Sequence, residues 1–116
     1  MKDFGWRIKN PIFSSTPSLS KGKITESGKI AALAEPYKVK LAPHSAYFGP
    51  GFLATAHLIA GSPPAVALEH FYFQLEASVF KEALRFEKGD FILPRGPGLG
   101  LEIDGAVLKE YAANPK

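Results

Sequence analysis

The chain has 116 residues, with 14 Lys and Arg against 11 Asp and Glu, so its formal net charge is +3. This length fits one domain of modest size and excludes a complete (β/α)₈ barrel, which takes roughly 250 residues. There is no cysteine, which excludes disulfides, thiolate metal sites and a cysteine nucleophile.

Composition also limits partners and location. The basic residues are scattered, whereas a nucleic-acid interface needs a dense basic face. No apolar stretch approaches the ~20 residues of a membrane span. Residues 1–12 lack the apolar segment of a secretory leader, and the absence of cysteine is compatible with a reducing compartment. We therefore expect a cytoplasmic protein with neither a nucleic-acid nor a membrane partner.

The first half of the chain predicts alternating helices and strands. Residues 1–20 show no sustained period, so we expect an irregular arm there. Residues 24–37 carry a helical pattern, with an apolar stripe of Ile30, Leu33, Ala34 and Tyr37. Pro36 lies inside the last turn of this pattern, so we expect the helix to end just before it. Lysines alternate with apolar residues over 38–42, which predicts a short, half-exposed strand.

A second helix and strand follow. Residues 52–60 are almost wholly apolar and end at Gly61, which predicts a helix covered by other elements. The short apolar run 65–69 is typical of a strand buried in a parallel sheet. Helix, strand, helix and strand joined by short links predict an α/β fold with parallel strands.

The C-terminal part is less regular. Residues 75–80 predict one or two helical turns, and 84–93 predict a hairpin about a turn at 87–90. A Gly/Pro-rich loop at 94–100 leads to a last short helix over 105–112, which Asp104 can cap.

Two residues that follow the predicted strands could transfer protons. His44 lies just beyond strand 38–42, and Glu69 ends strand 65–69. The carboxyl ends of parallel strands meet at one edge, and an imidazole beside a carboxylate can act in acid–base catalysis. Each has a structural alternative: a loop histidine bonded to a carbonyl, and an exposed acid at a strand end.

Other candidates are weaker. His57 lies in an apolar helix, where a lone histidine is more often a packed residue than a ligand, and His70 should face away from Glu69 because side chains alternate along a strand. The chain has no His-x-x-x-His or His-Glu-x-x-His motif, so no metal site is predicted within it. The 96–100 loop does not complete the G-x-G-x-x-G nucleotide motif.

A set of segments in chain order resembles one family. The segments are Ile24-Thr25-Glu26, the run 29–35 (KIAALAE), Ala42-Pro43-His44-Ser45, Leu68-Glu69 and the run 96–100 (GPGLG). Over about residues 15–111 the chain resembles the C-terminal part of the mandelate racemase/muconate lactonizing enzyme group of the enolase superfamily. The resemblance implies a partial barrel: 15–82 as the last units of a (β/α)₇β barrel, with strand seven at 38–42 and strand eight at 65–69. Residues 83–116 would form a hairpin, loop and short helix that return to a capping domain, and 1–14 an irregular arm.

The resemblance also implies a reaction and its residues. Members abstract the proton alpha to a carboxylate and stabilise the resulting enediolate on Mg²⁺. His44 matches the base and Glu69 the acid that hydrogen-bonds the substrate carboxylate, while Ser45 and Tyr47 are possible substrate contacts. The expected substrate is a small carboxylate, an acid sugar, for a dehydratase or racemase.

The chain departs from the family in ways that affect activity. The family's Mg²⁺ ligands lie on strands three to five, which have no counterpart here, and the strand-six Asp that orients the base would fall at Pro17 or Ser18. Residues 1–14 do not resemble the family, so we expect a truncated product with a foreign start that is inactive alone. Two alternatives remain: a subunit that completes a split barrel with another chain, and a small non-catalytic ligand-binding module around the 47–49 loop.

Overall fold

Three short segments pair in parallel in the N-terminal part of the molecule. The computed structural model describes residues 12–13, 24–45, 48–63, 65–71 and 74–113. Strand β1 (Ile12–Phe13) pairs in parallel with β2 (Lys40–Leu41), with Ile12 opposite Lys40 and Phe13 opposite Leu41. Leu41 also forms a parallel bridge to Ala65, and its carbonyl accepts the Val66 N–H at 2.9 Å. The spatial order of these segments therefore follows the chain.

Two helices of similar length connect the three segments. Helix α1 (Ile24–Ala34) joins β1 to β2, and α2 (Pro50–Ala60) joins β2 to the Ala65 bridge. The result is the α/β arrangement with parallel pairing that the alternating pattern predicts. None of the helices among the described residues is long and apolar enough to cross a membrane.

Two strands differ from the sequence expectation. The predicted strand 65–69 is reduced to the single bridge at Ala65. Strand β1 lies where an irregular arm was expected, and that expectation is wrong for residues 12–13. Both outcomes depend on backbone pairing with β2, a long-range interaction that local periodicity does not report.

Helix α1 buries a narrow face of small residues. It ends at Ala34, before Pro36 as predicted, because proline has no N–H to donate to the preceding turn. Its buried residues are Ser27, Ala31 and Ala34, and the two alanines pack with Leu41 in a first apolar cluster. The predicted stripe is wrong in part: Leu33 is 65% and Tyr37 74% exposed. The face of α1 that contacts β2 and α2 is the one with small side chains, and not the predicted stripe.

Helix α2 forms the centre of a second cluster. It begins at Pro50, two residues before the predicted start at Phe52, after Gly49 with φ of 98°. Phe52 and Leu53 are fully buried and pack with Phe80. Leu68, Val79, Leu84, Phe91, Leu99 and Leu101 complete this cluster. The second cluster therefore joins α2 to the C-terminal part of the chain.

The C-terminal part is held by pairing between distant segments. Strands β3 (Phe86–Glu87) and β4 (Asp90–Phe91) form the predicted hairpin, with positive φ at Lys88 and Gly89 in its turn. The helical turns predicted for 75–80 do not form, because Phe80 bridges Ile103 in antiparallel fashion. Helix α3 (Gly105–Glu110) is shorter than the predicted 105–112. Its cap is Asp104, whose Oδ1 accepts the amides of residues 106 and 107 as predicted.

Candidate functional site

His44 and Glu69 meet where β2 and the segment after Ala65 end. His44 Nδ1 lies 2.8 Å from Glu69 Oε2, and both side chains are 46% exposed. Parallel pairing of Leu41 with Ala65 accounts for this meeting, because the chain then runs in the same direction through both segments. The two residues that the sequence predicts at one edge are in direct contact there.

Ser45 forms two hydrogen bonds with Glu69. Its N–H donates to Glu69 Oε2 at 3.0 Å, and its hydroxyl donates to the main-chain carbonyl of Glu69 at 2.8 Å. Ser45 is completely buried. Glu69 Oε2 therefore accepts from two donors, the Ser45 amide and the His44 ring.

This arrangement determines the chemistry available to the imidazole. In neutral His44, Nδ1 carries the hydrogen that Glu69 accepts, which leaves the ring lone pair on Nε2. That nitrogen can accept a proton, and the adjacent carboxylate then stabilises the imidazolium. A carboxylate and an imidazole so arranged can take a proton from a substrate and later return it.

The cavity behind His44 is too small for a substrate. It has a volume of about 10 Å³ and is lined by Leu41, Pro43, Ala65 and side chains of α1 and α2. This is room for about one water molecule. A substrate that uses His44 must therefore reach it from the exposed side of the ring.

The remaining predicted site residues have different outcomes. Tyr47 lies outside the described residues. The hydroxyl of Ser45 bonds the Glu69 carbonyl, and its expected contact with substrate stays a prediction. His57 is a packed residue, as predicted, with Nε2 at 2.9 Å from the Leu99 carbonyl oxygen. His70 packs against the rings of Phe52 and Phe86, at centroid distances of 5.1 and 4.5 Å.

An aromatic pair near the site was not predicted. Phe48 and Phe71 stack with ring centroids 5.2 Å apart. Phe48 follows His44 by four positions and Phe71 follows Glu69 by two, so the stack joins the two segments beyond the His44–Glu69 contact. The available signal was an aromatic residue soon after each strand end, which is too common a pattern to be specific.

The described residues do not form a metal site. Within them, no group of three or more His, Cys, Asp or Glu side chains could hold a metal ion. Mg²⁺ takes several oxygen ligands around one point, and Glu69 is already bonded to His44 and Ser45. This part of the chain therefore does not fit the ion as a ligand set of its own.

Comparisons with known proteins identify the family of the chain. Residues 17–107 match the family described as enolase C-terminal domain-like. D-gluconate dehydratase of Thermoproteus tenax is 35% identical over 97 residues, which cover 81% of this chain and 20% of that protein.

Solved structures give the same assignment. A member of the enolase superfamily from Polaromonas sp. JS666 superposes with a TM-score of 0.75 at 31% identity, over 89% of this chain and 28% of the other. A mandelate racemase/muconate lactonizing enzyme from Sulfitobacter sp. gives 0.68 at 33% identity, over 79% of this chain and 24% of the other. The chain thus spans between a fifth and three tenths of the length of these proteins. It belongs to the enolase C-terminal domain-like family, within the enolase superfamily.

Proposed function

We propose that this chain supplies the proton-transfer pair of an acid-sugar dehydratase, with His44 as the base and Glu69 as its acidic partner. The observation that carries this proposal is the 2.8 Å contact between His44 Nδ1 and Glu69 Oε2 at the ends of two parallel segments. The similarity to D-gluconate dehydratase supports a sugar acid as the substrate class. A racemase would use the same first step.

The proposed reaction is an elimination of water. His44 Nε2 accepts the proton alpha to the substrate carboxylate, and the electrons of that C–H bond form a carbon–carbon double bond as the β C–O bond breaks. The imidazolium returns its proton to the departing hydroxyl, which leaves as water. Glu69 stabilises the imidazolium between these steps.

The chain alone is proposed to be inactive. Superfamily membership implies Mg²⁺ in general, and the described residues offer no ligand set for it. The proton alpha to a carboxylate is too weakly acidic for an imidazole to remove without electrophilic stabilisation of the product anion. Activity would therefore require barrel strands beyond those described here.

The parallel order of β1, β2 and Ala65 favours a partial barrel completed by further strands, on another chain or on the same polypeptide. Ten large apolar side chains are exposed among the described residues, including Leu33, Tyr37 and Tyr111. Exposed apolar side chains are what a partial barrel would leave where further elements pack. These two observations support a barrel completed by further strands over a small independent binding module.

A chimera tests the proposal directly. The segment of T. tenax D-gluconate dehydratase that aligns with this chain is replaced by residues of this chain, and D-gluconate dehydration is measured with Mg²⁺. We expect His44→Asn to lower kcat by about 10²–10⁴-fold, the usual contribution of a general base. His70→Phe, which replaces a histidine packed among aromatic rings, should leave the rate within about twofold, since it removes no base.

Two outcomes would count against the proposal. If the chimera folds and turns over equally well with His44→Asn, His44 is not the base. Dehydration by the 116-residue chain alone would show that no further strands are required.

A further inference from the structure

We infer that Ser45 is a positioning residue, one that fixes Glu69 and through it selects the tautomer of His44. The inference rests on the proposed role of the His44–Glu69 pair. It assigns Ser45 a function different from the substrate contact expected from the family resemblance. A substrate-binding hydroxyl needs access to solvent, whereas Ser45 is completely buried.

Both polar groups of Ser45 are directed to one residue, Glu69. The amide holds the carboxylate at 3.0 Å, and the hydroxyl holds the main-chain carbonyl at 2.8 Å. The two bonds therefore restrain both the carboxylate and the main chain of Glu69.

The hydroxyl bond substitutes for missing sheet pairing. The parallel bridge between Leu41 and Ala65 does not extend into a ladder that reaches Glu69. The main chain at Glu69 would otherwise lack a link to the β2 side of the site. Ser45 provides that link with its side chain, so its hydroxyl holds the main chain at Glu69 to the β2 side of the site.

The amide bond has a different effect. The terminal torsion of a glutamate side chain is broad, so a carboxylate held by one donor can rotate. In this site Oε2 accepts from both His44 Nδ1 and the Ser45 amide. The second donor keeps Oε2 beside Nδ1, which favours the tautomer with hydrogen on Nδ1 and the lone pair on Nε2.

The test reads the His44 tautomer in the full chain by ¹⁵N NMR of the imidazole nitrogens. Ser45→Ala keeps the amide but removes the hydroxyl that holds the main chain of Glu69, so the carboxylate should be held less firmly beside Nδ1. A hydrogen bond of this type changes an equilibrium by about two- to tenfold, so the ratio of Nδ1–H to Nε2–H forms should fall by that factor. The matched control is Thr55→Val, which removes another fully buried hydroxyl, bonded at 3.0 Å to the Gly51 carbonyl. It should leave the His44 ratio unchanged.

Two results with the variants would overturn the inference. One is a folded Ser45→Ala chain with an unchanged tautomer ratio. The other is an equal shift in Thr55→Val, which would indicate a general loosening of the fold.

A second measurement needs no variant. In the unmodified chain the Ser45 amide proton should shift with pH in step with the Glu69 carboxyl carbon, because the two groups are bonded. An amide that does not follow Glu69 would overturn the inference even if Ser45→Ala fails to fold. Neither spectrum depends on catalysis, so these results are separable from those of the chimera, which test the proposed function.

Discussion

His57 Nε2 lies 2.9 Å from the Leu99 carbonyl oxygen, a hydrogen bond between residues 42 positions apart. Because a carbonyl only accepts, His57 must carry a hydrogen on Nε2. The bond ties α2 to the Gly/Pro-rich loop at 96–100. A histidine in an apolar helix is thus explained by a structural bond, with no need for a ligand.

Replacing His57 should destabilise the protein. His57→Leu removes the donor and leaves the Leu99 carbonyl without this partner, at a cost of about 1–3 kcal/mol. His57→Gln, whose amide can still donate, should recover part of the loss. Urea unfolding followed by circular dichroism measures both, and equal stabilities for the Leu and Gln variants would argue that the bond contributes nothing.

Gly49 is expected to tolerate no side chain. Its φ is +98°, and a Cβ there would lie 3.1 Å from Cγ2 of Val79. The backbone strain alone costs about 1–3 kcal/mol for a residue with a side chain, and the crowding adds to it. Gly49→Ala should therefore lower the free energy of unfolding and the thermal midpoint.

Gly28 is the matched control, because an alanine there is expected to raise the stability that an alanine at Gly49 lowers. It lies inside α1, and a Cβ there would meet nothing within 4 Å. Gly28→Ala should stabilise the chain by about 0.5–1 kcal/mol through the better helix propensity of alanine. If both alanine variants shift stability in the same direction, the conformational argument at Gly49 is wrong.

The second cluster should be sensitive to the loss of volume at Leu53. This side chain is fully buried and packs in one cluster with Phe52 and Phe80. Leu53→Ala should cost about 2–5 kcal/mol, the range for core leucines. Leu33→Ala in α1 deletes the same atoms from a residue that is 65% exposed. Its effect on the urea midpoint should be small, and comparable losses from the two changes would contradict the observed burial.

The exposed ion pair between Lys81 and Glu102 should give a weak dependence of stability on pH. The hydrogen bond from Lys81 and then its charge lower the pKa of Glu102, and the same contacts with Glu102 raise the pKa of Lys81. The contribution of Glu102 to the free energy of unfolding is present above its unfolded pKa of about 4.3, and it is lost as pH falls through the lower folded pKa. The contribution of Lys81 to the free energy of unfolding is present below its unfolded pKa of about 10.4, and it is lost as pH rises through the higher folded pKa.

Glu102→Gln isolates this pair. The variant should be slightly less stable than the parent near neutral pH, and the difference should vanish in acid below the folded pKa of Glu102. Because both groups are exposed, added salt should also remove the difference. A stability gap that persists in acid would point to packing as its cause.

The elements that the sequence predicts correctly have local causes. Pro36 ends α1, the Lys88-Gly89 turn closes the hairpin, and Asp104 caps α3. The elements that it predicts wrongly, at 12–13 and 75–80, are settled by backbone pairing with distant segments. Local propensity carries no information on such pairing.

The site divides in the same way. Parallel strand order is enough to predict that His44 and Glu69 share an edge. The role of Ser45 could not be predicted, since it depends on which way a small hydroxyl turns and on a sheet ladder that stops early. The buried face of α1 was also predicted wrongly in part. The small side chains Ala31 and Ala34 let the helix approach Leu41 closely, whereas the larger apolar residues were expected to fill that space.

The two apolar clusters give the His44–Glu69 distance a further meaning. His44 follows Leu41, which belongs to the cluster with Ala31 and Ala34, whereas Glu69 follows Leu68, which packs on the cluster of α2. The pair thus connects a segment that packs in the first cluster with a segment that packs on the second. A displacement of one segment against the other by about 1 Å would break the contact, so the His44–Glu69 bond requires the two clusters to keep their relative position.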